Sequence, residues 1–325
     1  MPFLSVTDKL GYLYGIGAYV LWGFFPLYMR LLRPADPLEI LAHRIVWSVV
    51  FVALVLAAMR NRSFLRALLR RPRALAALGV AAALVALNWG TYIYGVNSER
   101  VVETSLGYFV NPLVVVLLGV FVLRERLRPA QWAALGVGGA AVVVLTVDYG
   151  RPPYLALVLS FTFAGYGLVK KRLGLPAAEG LFVESAVLAL PALAYLAWLV
   201  GTGGAAFGAV SAGHTALLVS AGAATAIPLL MFAGAANRLP FTSLGMLQYL
   251  APILQFGCGV IIFREPMPPA RLAGFALVWL ALAVFTVDAV RAARRLPPRP
   301  AEGALAAVQS GTGTSPQQER KIVPG

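Results

Sequence analysis

The stretch PLVVVLLGVFVLRERLRPAQWAALGVGGAAVVVLTVD, Pro112 to Asp148, decides how this chain folds. Two apolar runs flank a short basic turn; the first extends upstream to about residue 101, and each is then long enough to cross a hydrocarbon core roughly 30 Å thick at about 1.5 Å per helical residue. The pattern returns without a gap as PILQFGCGVIIFREPMPPARLAGFALVWLALAVFTVD, Pro252 to Asp288. Arg124-Glu125 answers to Arg264-Glu265, Pro129-Ala130 to Pro269-Ala270, and the Thr-Val-Asp ending at Asp148 to the one ending at Asp288. Upstream, Ser105-Leu106-Gly107 matches Ser243-Leu244-Gly245, and Asn97 matches Asn237 after small shifts.

Apolar runs of this kind recur outward in both directions. Spans are expected near 10–29, 40–59, 74–96, 101–123, 130–147, 152–169, 180–200, 213–236, 241–263 and 270–289. They are continuously apolar, without the ten-residue alternation of barrel strands, so they read as helices. Each copy of the repeat holds five spans. An odd number makes the second half enter the membrane from the opposite side. The expected fold is therefore an all-α membrane protein with ten transmembrane helices in two inverted five-helix repeats, residues 1–148 and 149–290. A Pro-, Gly- and Ser-rich segment, 291–325, follows as an expected disordered cytoplasmic tail. Inverted repeats are typical of secondary transporters, where two halves that exchange conformations give alternating access.

Composition supports this reading. Of 325 residues, 60% are hydrophobic and only 12% charged, about half the charged share of a soluble domain. The net charge of +14 would suggest nucleic acid in a soluble protein. Here the basic residues sit in short loops between apolar runs, where the positive-inside rule places them. Twenty Lys and Arg fall on one side, among them Lys9, Arg70, Arg126, Lys171 and Arg238. Six fall on the other: Arg30, Arg33, Arg100, Arg151, Arg264 and Arg271. Both termini are thus expected in the cytoplasm, with the first run an uncleaved span. Cys258 is the only cysteine and His43 and His214 the only histidines. With no GxSxG elbow and no HExxH, neither an enzyme nor a metal or cofactor site is expected.

Several stretches resemble the RarD branch of the EamA-type drug/metabolite transporter superfamily. They are AYVLWGFFPLY from Ala18, EILAHRIVWS from Glu39, NWGTYIYGVN from Asn88, ETSLGYFVNPLV from Glu103, Tyr166-Gly167-Leu168, Glu184, TAIPLLMFAGAANRL from Thr225 and SLGMLQYLAPILQF from Ser243. The resemblance covers about residues 10 to 290. It implies two five-helix EamA units and a permease role in a bacterial inner (plasma) membrane.

Polar groups in hydrocarbon are costly, about 2.5–3.5 kcal/mol for Arg or Asp at a helix centre, so each needs a partner or a cavity. Tyr108 and Asn111 share one face of the fourth span with Thr104 and Gly107. Pro112 beside them suggests an interrupted helix. Gln248 and Gln255, with Tyr249 beside them, form the corresponding stripe on the ninth span. Asn88 and Tyr92, with Trp89 adjacent, add the third span, and Trp22 adds the first. These nine residues are the candidate substrate cavity, with interhelical hydrogen bonding as the alternative. The candidate coupling and gating residues are His43, Arg44 and Glu184. Glu184 suits a coupling proton, and Arg44 suits an anionic group or a gate. Snorkelling to the headgroups is the alternative for both. Glu39 can pair with His43, Lys170 belongs with the cytoplasmic basic residues, and His214 reads as interfacial.

The function this supports is an integral inner-membrane secondary transporter of small organic solutes, a drug/metabolite exporter by alternating access with proton coupling. An uncoupled facilitator or channel for small polar solutes is the alternative. The expected partners are a small-molecule solute, a proton and the lipid bilayer, with a homodimer left open and no nucleic acid.

Overall fold

The computed structural model describes residues 6–58, 68, 70–124, 126–173, 177–239 and 241–295. Arg60, Arg62, Arg66, Glu125 and the tail from 296 lie outside the described residues. The chain forms α1 (Val6–Gly23), α2 (Phe25–Leu31), α3 (Pro37–Ala58), α4 (Pro72–Asn97), α5 (Val101–Leu123) and α6 (Pro129–Tyr149). There follow α7 (Tyr154–Leu173), α8 (Ala177–Gly201), α9 (Ala212–Ala236), α10 (Phe241–Leu247), α11 (Leu250–Gly257), a π-helical turn (Cys258–Ile262) and α12 (Pro269–Arg295). Among the described residues no strand occurs.

Local chemistry sets many of the boundaries. Pro37, Pro72, Pro129 and Pro269 open their helices, where a missing N–H costs nothing. Ser211 caps α9 by accepting from the His214 N–H at 3.0 Å. Arg124 and Arg264, the matched residues of the two repeats, both adopt the left-handed conformation, with φ of 56° and 55°.

Among the described residues seven helices are long and apolar enough to cross a membrane: α3, α4, α5, α6, α8, α9 and α12. The α1–α2 pair makes an eighth if counted as one span, with a bend of 44° between its parts. Two shorter apolar helical stretches, Tyr154–Lys170 and Leu250–Ile262, accompany them. The chain is a multi-pass helical membrane protein. The breaks differ from expectation. α5 runs unbroken through Pro112, whereas the first expected span breaks at Phe24 and the ninth at Gln248–Tyr249. A proline removes a single backbone bond, which a packed bundle can absorb. The last helix also continues to Arg295, past the expected start of the tail.

The helices pair across the sequence. α6 packs on α12, α5 on α7 and α11, α3 on α8 and α9, α4 on α7 and α8, and α1 on α9 and α11. On α6 the inward face is Ala134, Gly138, Ala141 and Leu145, a small-residue stripe at helical spacing that admits Phe275, Val278 and Ala281 of α12. Close approach is strictest where α3 meets α9. A Cβ on Gly222 would stand 2.2 Å from the Trp47 carbonyl oxygen, so only glycine fits.

Candidate functional site

Arg44 lies about two turns inside α3. Its side chain turns into the bundle and is 5% exposed, so it does not snorkel. Nε donates to Thr225 Oγ1 on α9 at 2.8 Å. The guanidinium carbon stands 4.0 Å from the Trp89 ring centroid and 4.8 Å from that of Phe25. Tyr28, Tyr92 and Tyr108 lie close enough to interact with its charge. Among the described residues no carboxylate comes within 4.0 Å of it. Cation–π contacts contribute about 2 kcal/mol when desolvated, less than the several kcal/mol that removing a charge from water costs. The guanidinium is held but not neutralised.

From Arg44 an aromatic file crosses the bundle. Phe25 contacts Tyr92 at 6.3 Å between centroids, Tyr92 contacts Tyr108 at 5.9 Å, Tyr108 contacts Phe163 at 6.1 Å, and Phe163 contacts Tyr166 at 6.3 Å. The file ends at Glu184, which is 1% exposed. The Tyr166 hydroxyl donates to Glu184 Oε2 at 3.0 Å, and Lys170 Nζ donates to Oε1 at 2.7 Å. Glu184 is therefore inward and ion-paired, not snorkelled. Lys170 joins it there rather than standing with the loop cations.

Asn88 flanks the file. Its Nδ2 donates to the Leu159 carbonyl at 2.9 Å and to Thr162 Oγ1 at 3.0 Å, and the Tyr108 hydroxyl stands 3.5 Å from its Oδ1. Two buried oxygens on α4 and α5, the Tyr92 hydroxyl and Asn111 Oδ1, have no hydrogen-bond partner among the described residues. Such orphaned groups are rare in a finished core and call for an explanation.

Five candidate cavity residues thus fall on three neighbouring elements with Arg44: Asn88, Trp89 and Tyr92 on α4, Tyr108 and Asn111 on α5. Others are placed elsewhere. Trp22 packs with Tyr19 and Phe232 at 5.5 and 5.9 Å, and its carbonyl accepts from Gln255 Nε2 at 3.0 Å. Tyr249 packs against the α6–α12 cluster, and Gln248 is half-buried at the break. No ring contact or hydrogen bond among the described residues joins Tyr249 or Gln248 to the Arg44 group. His43 faces outward from the file. It stacks on Phe207 at 4.6 Å, with Nε2 3.9 Å from Glu39 Oε1. Glu39 itself accepts from the Ala206 N–H at 2.9 Å and the Phe207 N–H at 3.0 Å.

Sequence reasoning passed over Phe25, Tyr28, Thr225, Tyr166 and Glu103. Thr225 carried a readable signal, a hydroxyl in mid-span. Glu103 forms a buried knot with Arg100 at 2.6 Å, Arg151 at 3.2 Å and the Leu155 N–H at 3.2 Å. His214 is likewise structural, with Nε2 2.8 Å from the Leu32 carbonyl. Glu265, beyond the π turn, holds the Val102 N–H at 2.9 Å and also the Val101 N–H. Burial pushes its carboxyl above the usual range, against the pull of those two bonds. No group of three or more metal-ligating residues occurs among the described residues.

This inward aromatic and polar file belongs to a multi-pass helical membrane protein, and comparison with known proteins gives the family. Residues 9–147 match the EamA-like transporter family. A protein RarD of Streptomyces exfoliatus is 54% identical over 288 residues, covering 89% of this chain and 91% of the relative. An uncharacterized transporter of Pseudomonas aeruginosa is 40% identical over 289 residues, covering 89% and 97%. A crystal structure 21% identical in sequence, with a TM-score of 0.55, covers 85% of this chain and 97% of its own; it speaks to the fold alone. The chain belongs to the EamA-like transporter family, in its RarD branch.

Proposed function

We propose that the chain is a bacterial inner-membrane secondary transporter that moves small organic solutes outward by alternating access between two inverted five-helix halves, coupled to protons at Glu184. The observation that carries this is a polar seam between the halves. Arg44 bonds to Thr225, Asn88 to Thr162 and the Tyr28 hydroxyl to the Leu217 carbonyl, each from the first half to the second. The Val102 N–H likewise donates to Glu265, while Gln255 donates to the Trp22 carbonyl and the Ala206 N–H to Glu39 in the opposite sense. Hydrogen bonds are individually weak and exchangeable, and suit an interface that opens and closes.

The helix pairing supports inversion. If spans one to five correspond to six to ten, the α5–α7 contact corresponds to α11–α1, and α4–α7 to α9–α1; all four are present. The matched left-handed residues Arg124 and Arg264 agree. Ten passes then follow if the broken first and ninth segments and the shorter α7 each cross. The lysine and arginine distribution supports an orientation with both termini in the cytoplasm. Reconstitution tests the class. Solutes chosen by thermal stabilisation of the purified protein should show saturable counterflow in liposomes. Flux that rises linearly with concentration, without counterflow, would favour the channel.

A further inference from the structure

We propose that the solute carries a negative charge, and that Arg44 is the group that recognises it, with the aromatic rings around it receiving an apolar body. This deepens the transporter reading and rests on it. An arginine is always charged in a protein and presents its donors in a planar fork that matches a carboxylate. Here Arg44 is 5% exposed, and among the described residues Nε alone makes a hydrogen bond, to Thr225. The remaining environment is Trp89, Phe25, Tyr28, Tyr92 and Tyr108. None of these is an anion at neutral pH, and no described carboxylate pairs with it.

Two features point to an occupant and not to a merely tolerated charge. The Tyr92 hydroxyl, 3% exposed at the residue level, has no partner; a bound oxyanion would accept from it. Among the described residues three other buried charges are matched by counter-charges within the protein, Glu103 by Arg100 and Arg151, Glu184 by Lys170 and Asp148 by Arg271, while Glu39 is met by two backbone N–H groups beside His43. Arg44 departs from that practice at the seam between the halves. Its counter-charge is the solute, and the flat rings flanking it suit an aryl or alkyl body. The preferred class is an amphipathic organic monocarboxylate. Cationic solutes are repelled, and neutral ones leave the guanidinium without its pair.

The test uses matched probes: 3-phenylpropionate, its primary amide and 3-phenylpropylamine, with the indole series alongside. Binding to the purified full chain is read by tryptophan fluorescence. The acid should bind saturably and the amide and amine at least about tenfold more weakly, as expected when a buried charge pair loses one member. Arg44→Gln should lose the acid's advantage, and Arg44→Lys should keep part of it, each checked for monodispersity. Equal binding of acid and amide, no binding of the acid, or unchanged acid affinity in a folded Arg44→Gln overturns the inference. Counterflow of the same probes separates it from the transporter reading. Arg44-dependent acid binding without counterflow keeps the anion site and sinks transport. Counterflow of amide and acid alike, indifferent to Arg44→Gln, keeps transport and sinks the anion site.

Discussion

Asp148 at the end of α6 accepts a hydrogen bond from Arg271 Nε at the start of α12, at 2.8 Å. At the opposite end of the same helix pair Asp288 accepts from Arg128 Nε, also at 2.8 Å. The two aspartates close the matching Thr-Val-Asp motifs, so each copy supplies the acid for one end of the clamp. The Asp148 pair is the more buried, with side chains 7% and 17% exposed against 17% and 47% for Asp288 and Arg128. Asp148→Asn should therefore cost about 1–3 kcal/mol, since it leaves a partly buried arginine unmatched, and Asp288→Asn less than about 1 kcal/mol. Thermal unfolding in detergent measures both. Equal shifts would mean that burial does not govern the clamp.

Glu184→Gln keeps the shape and the Tyr166 contact but removes the charge that Lys170 neutralises. If Glu184 carries the coupling proton, the variant resembles its protonated form. Uphill accumulation driven by a pH gradient should be abolished, while solute exchange at equal pH stays within a fewfold of wild type. A variant that still concentrates solute under an imposed gradient would make the protein an uncoupled facilitator.

Hydropathy located the helices: among the described residues seven of the expected runs are helices long and apolar enough to cross a membrane, the sixth is a shorter helix, and the first and ninth are helical but broken. The breaks were not legible. Pro112 and Pro26 carry the same local signal, yet α5 continues through one and α2 begins beside the other. The difference is tertiary: α5 is clasped by α7 and α11. For the site, helical periodicity put Tyr108 and Asn111 on one face of α5 and brought Asn88 and Tyr92 together on α4. Periodicity within one helix says nothing of partners on another. Trp22 meets Gln255 of its expected group, but no ring contact or hydrogen bond among the described residues joins Trp22 or Tyr249 to Arg44, whose contacts with Thr225, Phe25 and Trp89 come from helix packing that one helix's periodicity does not encode.

Orientation is tested by labelling in a Cys258→Ala background. Thr202, exposed in the α8–α9 connection, should be external, and Arg126, exposed between α5 and α6, cytoplasmic. A membrane-impermeant maleimide should label Thr202→Cys in intact cells and reach Arg126→Cys only after lysis. The reverse pattern would invert the topology.

Alternating access is the central claim, and paired spin-label distances in lipid nanodiscs test it most directly. One pair, Ser98 with Arg264, spans the halves on the expected external side, beside the bond from Val102 to Glu265. The other pair, Asn237 with Arg124, sits on the cytoplasmic side, where Asn237 matches Asn97, next to Ser98, and Arg124 matches Arg264. Varying pH and solute should lengthen one distance as the other shortens, with both populations visible in the resting protein. Two fixed distances, or two that change in the same direction, would contradict exchange between inverted halves.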